Sequence, residues 1–293
     1  FHGQWVIFHS NGVMSDFRNY KNGEKHGQWK SWHADGTQWN EENYVDGKKH
    51  GKFLTWRSGE VKEFEGQYKD DLKTGLWKYY FDNGIKWKQG KFVDGRKDGE
   101  WLLFFENTEE EIIHEVCTFE SGIINGKYTK YYKNKGVERK GILRENKKEG
   151  VWNFYYYGSP LHPLQRKKVP YKNNLINGKL ISYHPNGQER SLISFRNGKR
   201  SGKYESYYKN GVQKCVTKYK QNEKSGDYLE YFNNGVERCV GHIKNGVMVG
   251  NWKYWHHNGE KECELNLSDN GELIEGNVYH DNGKLKLQRR LND

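Results

Sequence analysis

The sequence predicts an all-β fold, an elongated array of about twelve 24-residue β-hairpin repeats that form a continuous antiparallel sheet. Three observations predict it: a glycine that returns at a fixed interval, two turn signals in each interval, and aromatic residues at fixed places between the turns. Fixed periods of about 20 to 50 residues are typical of repeat architectures. We therefore interpret residues 1–293 as a single repeat array rather than as two globular domains.

The repeat is visible when residues 21–32 (KNGEKHGQWKSW) are compared with residues 45–56 (VDGKKHGKFLTW). The glycine after the histidine serves as the anchor of each repeat. Equivalent anchors are Gly3, Gly27, Gly51, Gly75, Gly99, Gly126, Gly150, Gly178, Gly202, Gly226, Gly250 and Gly276. Eight of the eleven intervals are 24 residues long. The three longer intervals predict insertions near residues 106–111, 157–170 and 266–275.

Each repeat carries two turn signals. The first follows the anchor, at Asn11-Gly12, Asp35-Gly36, Asn83-Gly84, Asn186-Gly187, Asn210-Gly211, Asn234-Gly235 and Asn258-Gly259. The second precedes the next anchor, at Asn22-Gly23, Asp46-Gly47, Asp94-Gly95, Asn197-Gly198 and Asn245-Gly246. Asn-Gly and Asp-Gly pairs accept positive φ at both central positions of a type I′ hairpin turn. The pattern predicts two strands in each repeat and about two dozen strands in all.

Aromatic residues keep fixed offsets from the anchor. Offset two holds Trp5, Trp29, Phe53, Trp77, Trp101, Tyr128, Trp152, Tyr204, Tyr228 and Trp252. Offset five holds Phe8, Trp32, Trp56, Tyr80, Phe104, Tyr131, Tyr155, Tyr183, Tyr207, Tyr231 and Trp255. The odd difference places the two series on opposite faces of a strand. Only 33% of residues are hydrophobic, but 15% are aromatic, and large rings bury enough area to hold a thin sheet.

The unit G-x-W-x-x-[FYW]-[FYH]-x-N-G, followed by an aromatic residue and [ND]-G-x-x-x-G, resembles the MORN repeat variant of bacterial proteins, many of which are classed as antitoxins. The resemblance extends from Phe1 to about Gly283, with departures near Asn107, at residues 157–170 and at residues 268–276. It implies a β-hairpin array that binds other macromolecules, and it also implies binding to membrane lipid.

A second family has similar runs. The choline- or glycan-binding repeats of bacterial surface proteins alternate glycine, Trp-Tyr-Tyr runs and turn residues, as residues 75–80 (GLWKYY) do. Those repeats are nearer to about 20 residues long and hold one hairpin with a linker. The steady period of 24 and the doubled turn favour the MORN variant.

No residue pattern indicates catalysis, so we predict no enzyme activity, no cofactor and no metal site. Cys215, Cys239 and Cys263 occupy one position in three successive repeats, which places their Cα atoms about 10 Å apart, too far for a disulfide. We expect small buried thiols on the packed face. The histidines are spread along the array, and no nucleophile elbow or phosphate-binding glycine loop occurs.

Charge is the property that points to a partner. Lys and Arg exceed Asp and Glu by 11, and many of the cations stand between the second turn and the next anchor. These are Lys25, Lys48, Lys49, Lys73, Arg96, Lys97, Lys147, Lys148, Lys199, Arg200 and Lys224. We expect them at exposed turns along one edge, where they would attract an acidic partner while Trp32 and Trp56 supply contacts. The alternative is that these lysines only solvate the edge and prevent sheets from pairing.

The sequence therefore predicts a non-catalytic binding scaffold, with antitoxin-like or immunity-like neutralisation of an acidic protein partner as its concrete form. The alternative is a membrane-surface or cell-surface protein that binds anionic lipid or glycan, and nucleic acid is less favoured than either. The proline-rich insertion at 157–170 is a further candidate contact site. Without a signal peptide or a long apolar run, a cytoplasmic location is preferred. Export or surface attachment stays open because the sequence begins inside a repeat.

Overall fold

The computed structural model describes residues 1–57, 60–108 and 110–290. This part of the chain consists of 28 strands joined by turns and loops, without a helix. Every strand pairing is antiparallel. The all-β hairpin prediction is confirmed.

The chain divides into two compact units, Phe1–Asn146 and Lys147–Asp293. The strands of the N-terminal unit are β1 (Gly3–Phe8), β2 (Met14–Lys21), β3 (Glu24–Lys25), β4 (Gly27–Trp32), β5 (Gln38–Val45), β6 (Lys48–Lys49), β7 (Gly51–Trp56), β8 (Lys62–Lys69), β9 (Leu72–Tyr80), β10 (Lys86–Val93), β11 (Arg96–Phe104), β12 (Ile113–Glu120), β13 (Ile123–Tyr131) and β14 (Val137–Arg144).

The strands of the C-terminal unit are β15 (Lys147–Tyr155), β16 (Gln165–Lys172), β17 (Leu175–Ile176), β18 (Gly178–Tyr183), β19 (Glu189–Arg196), β20 (Lys199–Tyr207), β21 (Gln213–Lys220), β22 (Glu223–Lys224), β23 (Gly226–Tyr231), β24 (Glu237–Lys244), β25 (Val247–Trp255), β26 (Lys261–Leu267), β27 (Leu273–Tyr279) and β28 (Leu285–Arg290). Within each unit a strand pairs with its neighbours in chain order. The two-residue strands β3, β6, β17 and β22 each stand just before an anchor glycine, where the ladder is interrupted. The remaining strands therefore occur two to a repeat, as predicted.

The two turns of a repeat have different geometry, although both carry Asn-Gly or Asp-Gly. At the second turn Asn22 and Gly23 both have positive φ, 52° and 88°, which is the predicted type I′ turn. At the first turn only Gly12 has positive φ, and its N–H donates to the His9 carbonyl while the His9 N–H donates to the Val13 carbonyl. This is a three-residue loop closed by a left-handed glycine. The type I′ prediction is wrong for the first turn because that loop is one residue longer.

The anchor glycine lies at a strand irregularity that requires positive φ. The first eleven anchors have φ between 65° (Gly250) and 136° (Gly126). The twelfth, Gly276, has no such φ and pairs with Leu265 inside a regular ladder. Gly276 is therefore not equivalent to the other anchors, and its assignment from the sequence was wrong. Residues 268–272, in the third insertion, form a three-residue loop like that of the first turn, and β26 and β27 pair on either side of it.

The other two insertions differ in kind. In the first, Glu110 and Glu111 contact Lys135 (2.9 Å) and Lys86 (2.8 Å), and Glu109 lies outside the described residues. The loop predicted at 157–170 ends earlier, because Gln165 begins β16. Pro170 pairs with Val151 of β15, and its carbonyl accepts a hydrogen bond from the Asn177 N–H. Proline fits there because β16 changes partners from β18 to β17 at this point, and prolines within sheets are confined to edges and bulges.

Side chains at the first turn connect successive repeats. The Asn11 side chain accepts a hydrogen bond from the Val13 N–H and donates to the carbonyl of Ala34, which lies 23 residues further on. The imidazole of His9 reaches the Trp32 carbonyl at 2.9 Å. Asn210 and His184 repeat these contacts in the C-terminal unit, with Asn233 and Tyr207. The histidine series that the sequence spreads along the array therefore has a structural role.

Candidate functional site

One face of the N-terminal unit carries a row of aromatic rings, most of which meet edge to face. This aromatic ladder alternates the rings at offset two with rings of the following strand, and consists of Trp29, Tyr44, Phe53, Tyr68, Trp77, Phe92, Trp101 and Phe119. Tyr68 and Trp77 have ring centroids 5.1 Å apart, and Phe92 and Trp101 have centroids 5.2 Å apart. Trp77 and Trp101 are 0% and 1% exposed. The rings of the ladder therefore lie on one face of the sheet and also form the hydrophobic core of this unit.

Lysines lie over the rings of this ladder. The Lys25, Lys49, Lys73 and Lys97 amines stand 4.3, 4.4, 4.1 and 4.4 Å from the ring centroids of Trp29, Phe53, Trp77 and Trp101. Each lysine precedes its ring by four residues, and these contacts place both side chains on one face although the anchor glycine stands between them. The four lysines are half-buried. The expectation that they stand at exposed turns was wrong, because an amine over a ring face is attracted to it and its stem packs on the ring.

The other predicted cations divide between two positions. One position directly precedes that of the ring-packed cations, and its residues are exposed: Lys48, Arg96, Lys147 and Lys199. Arg200, also exposed, lies 5.4 Å from the Tyr219 ring, and Lys148 is half-buried between Trp152 (5.0 Å) and Tyr171 (4.9 Å). The predicted basic edge is thus two sets of cations at different depths.

Trp32 and Trp56 are half-buried and follow the ladder residues Trp29 and Phe53 by three positions. They therefore lie on the opposite face, as the odd offset predicts. The structure does not bring them together with the ladder lysines, so one flat partner surface would not contact both sets.

Lys88 is a residue that the sequence interpretation missed. It pairs with Tyr79 on one side and Leu103 on the other, and its amine lies 4.8 Å from the Tyr79 ring centroid and 3.6 Å from that of Trp87. Burial lowers the pKa of Lys88, and the charges of Lys97 and Lys73 lower it further. No simple offset from the anchors marks Lys88, because only the strand register places it across from Tyr79.

Lys73, Lys88 and Lys97 form what we call the lysine cluster. Burial lowers the pKa of Lys73, and Lys49 and Lys97 add to this by charge repulsion. The Lys73 amine also lies 3.1 Å from the Tyr79 hydroxyl, whose pKa burial raises to about 12. Among the described residues, Lys49, Lys78 and Lys86 pair with Glu42, Glu65 and Glu111, but no member of the lysine cluster has a carboxylate partner. The cluster is thus a patch of uncompensated positive charge on an aromatic floor.

The opposite face of the same repeat holds a compensated network around Glu65. Its carboxylate accepts hydrogen bonds from Lys62 (2.8 Å), Lys78 (3.0 Å) and the Tyr80 hydroxyl (2.8 Å). Burial raises the pKa of Glu65, but these three donors outweigh burial and lower the pKa to about 2. Stability from this network is therefore present above pH 4.5 and lost as the pH falls through about 2.

Replacing Glu65 by Gln should make the free energy of unfolding less dependent on pH in the acid range. We expect a loss of about 1 kcal/mol at pH 7, since the side chain is partly exposed, and a smaller difference from the wild type near pH 2.5. Urea unfolding at both pH values measures this. Glu100→Gln is the control, because Glu100 is exposed and has no ion pair among the described residues. If both variants lose the same stability at both pH values, the Glu65 network does not act as described.

The cysteines are free thiols. Cys117, Cys215 and Cys239 are buried, and Cys263 is half-buried, which agrees with the predicted packed positions. Burial raises the pKa of Cys117 to about 11 and that of Cys239 to about 12, so both thiols are protonated at neutral pH and are poor nucleophiles. Within the described ranges no group of three or more His, Cys, Asp or Glu side chains could hold a metal ion.

Residues 73–94 match the MORN repeat variant. This stretch contains the ladder rings Trp77 and Phe92 and two of the three cluster lysines, Lys73 and Lys88. The match confirms the predicted repeat type for this stretch. No curated protein matches the chain.

Solved structures resemble the chain only weakly. The crystal structure of TcdB2-TccC3-Cdc42 is 10% identical with a TM-score of 0.21, and the Tc holotoxin pore of Photorhabdus luminescens is 12% identical with a TM-score of 0.20. In both cases the match covers 99% of this chain but 18% of the other, so the chain spans less than a fifth of their length. Neither TM-score is high enough to indicate a shared fold.

The described residues also contain no helix able to span a membrane.

Proposed function

We propose that the chain is a non-catalytic binding scaffold for an acidic protein, with antitoxin-like or immunity-like neutralisation as its concrete form. The observation that supports this most directly is the lysine cluster. Its three amines have no carboxylate partner within the described part of the chain and stand on one aromatic face, where burial and repulsion from neighbouring lysines lower the pKa of Lys73 and Lys88. An incoming carboxylate relieves that repulsion, and the rings beneath supply apolar contact.

The chain's net charge of +11 acts in the same direction. Exposed cations such as Lys48 and Arg96 raise the rate at which an acidic partner is encountered, and this rate enhancement falls as salt is added. The half-buried lysines contribute at short range instead. The rate of association with the partner thus depends on the exposed cations of the predicted basic edge. The residence time of the complex depends on the lysines that pack on the rings.

Replacing Lys73, Lys88 and Lys97 together by Met tests the proposal. Methionine keeps the aliphatic packing on the rings and removes the charges. When tagged chains are incubated with extract of the source cells, we expect the wild type to retain one stoichiometric acidic protein and this variant to lose it. The matched control replaces the exposed Lys69, Lys91 and Lys127 by Met, with the same change in net charge, and should retain the partner.

The outcomes separate the candidate functions. Retention of anionic vesicles or of glycan in place of a protein would support the membrane-surface or cell-surface alternative. Equal retention of the acidic protein by the cluster variant and the wild type would contradict the proposal. Thermal unfolding of all three chains shows whether a loss of binding reflects a loss of folding.

A further inference from the structure

The C-terminal unit contains a recess of about 1090 Å³ on one face of its sheet. Its floor is a single row of directly paired residues that crosses β16, β18, β19, β20, β21 and β23. The row is Lys167, Ser182, Ser191, Ser206, Cys215 and Glu230, in that order. Direct pairing places these side chains next to one another on the same face.

The recess exists because the side chains in the middle of this row are short. The corresponding row of the N-terminal unit contains Phe64, Tyr79, Lys88 and Leu103, which are also paired in succession. Ser182, Ser191, Ser206 and Cys215 fill far less space than those four residues. Three of the four are nevertheless buried, at 9%, 8% and 7% exposure for Ser182, Ser206 and Cys215.

Cations without acidic partners surround the row. Arg190 and Lys214 are the extra residues of two β-bulges, which turn them toward the recess that they line with Lys167. Lys224 lies 4.8 Å from the Tyr228 ring centroid at the same recess. None of these four cations forms an ion pair within the described part of the chain, in contrast to Arg238, which pairs with Glu230 at 3.2 Å.

Glu230 does not compensate them. It already binds Arg238 and accepts a hydrogen bond from the Tyr228 hydroxyl at 3.1 Å. The remaining groups are mainly donors: ammonium and guanidinium groups at the rim, and serine hydroxyls on the floor, where Ser182 and Ser191 have their oxygens 2.5 Å apart. A matching ligand must therefore be anionic and rich in acceptors.

We propose that this recess binds an acidic segment of the protein partner, with carboxylates at the Lys167, Arg190 and Lys214 rim. This inference rests on the proposed function and adds a second contact region to it. A chain segment fits better than an enclosed metabolite, because one sheet layer forms the floor and no second layer of this unit covers it among the described residues. Small-molecule sites, by contrast, bury about 70–90% of their ligand.

A labelled octaglutamate peptide and the whole chain provide the test, with fluorescence anisotropy as the readout. Replacing Lys167, Arg190 and Lys214 by Gln should weaken peptide binding about tenfold. The matched control replaces the exposed Lys179, Lys218 and Lys253 by Gln, which removes the same charge away from the recess and should weaken binding less than about twofold. Equal weakening by the two variants would overturn the inference, because general electrostatics would then explain the binding.

A second variant tests the shape of the recess without changing its charge. Ser191→Tyr should refill the recess with a ring, as Phe64 does at the same repeat position of the N-terminal unit, and should abolish peptide binding. Unchanged binding by this variant would contradict the inference, as would binding of phosphatidylserine vesicles in place of the peptide. If the recess variants bind octaglutamate normally while the lysine-cluster variant loses the acidic protein, the inference fails and the proposed function stands. If recess-dependent peptide binding holds but no acidic protein is retained from extract, the proposed function fails.

Discussion

Replacing Gly241 by Ala is expected to lower the free energy of unfolding by about 3 kcal/mol, near the upper end for overpacking of a core. A Cβ atom at Gly241 would lie 2.2 Å from Cδ2 and 2.3 Å from Cε2 of Trp252. Trp252 is only 3% exposed and packs against Ile243 and Cys239, so its indole has no room to retreat. Gly241 does not have positive φ, and the cost is therefore steric rather than a matter of backbone conformation.

Gly158→Ala is the control for this prediction. A Cβ atom there meets nothing within 4 Å, and Gly158 belongs to the same unit. We expect its stability to stay within about 0.5 kcal/mol of the wild type in urea unfolding. Adding Trp252→Leu to Gly241→Ala should cost less than the two single changes together, because the smaller side chain relieves the clash. Equal stability of Gly241→Ala and Gly158→Ala would show that the indole does not lie on Gly241.

The same arrangement occurs twice in the N-terminal unit. Gly66 lies beneath Trp77 and Gly90 beneath Trp101, with added Cβ atoms as close as 2.3 and 2.2 Å to ring carbons. Glycine at these positions lets the indole lie flat on the backbone of the sheet. This explains how a chain with few aliphatic residues hides two tryptophans almost completely.

Replacing Lys73 by Ala is expected to destabilise the chain by about 2 kcal/mol. Its amine lies 4.1 Å from the Trp77 ring centroid and 5.4 Å from that of Phe92, and its stem covers the ladder. Removing the side chain loses both the packing and the attraction of a partly desolvated cation to the ring face. Relief of repulsion from Lys49 and Lys97 offsets part of this loss.

Arg96→Ala is the matched control, since Arg96 is an exposed cation in the corresponding region of the next repeat. Its expected change in stability is within about 0.5 kcal/mol. Lys73→Met should fall between the two, because methionine keeps the packing and loses only the charge. Thermal or urea unfolding of the three variants measures the order. If Lys73→Ala and Arg96→Ala change the free energy of unfolding equally little, Lys73 only solvates the edge, which is the alternative hypothesis for these cations.

The two cation sets also affect how binding data should be interpreted. Charge reversal across the whole predicted edge would change stability at Lys49, Lys73 and Lys97 together with binding, since those lysines pack on rings. Changes confined to Lys48, Arg96, Lys147, Lys199 and Arg200 would test long-range attraction alone, because these residues are exposed. Binding experiments on this chain therefore require the two sets to be varied separately.

The sequence by itself determined the local features of this protein. The 24-residue period, the two strands of each repeat and the faces of Trp29 and Trp32 follow from turn residues and from the alternation of side chains along a strand. These are properties of neighbouring residues, so they can be read without knowing which strands pair. The packed positions of Cys215 and Cys239 follow in the same way from their regular spacing.

Only the tertiary structure decided which residues meet across strands. Loop length made the first turn different from the second, although both carry Asn-Gly. Register placed Lys88 beside Tyr79 and aligned Ser182, Ser191 and Ser206 into the floor of a recess. A bulge or an altered loop changes which residues pair across strands, as at Gly276. How far a lysine side chain is buried depends on whether aromatic rings lie on the same face of the sheet. Both candidate binding regions arise from such cross-strand neighbours, which is why the repeat pattern alone did not locate them.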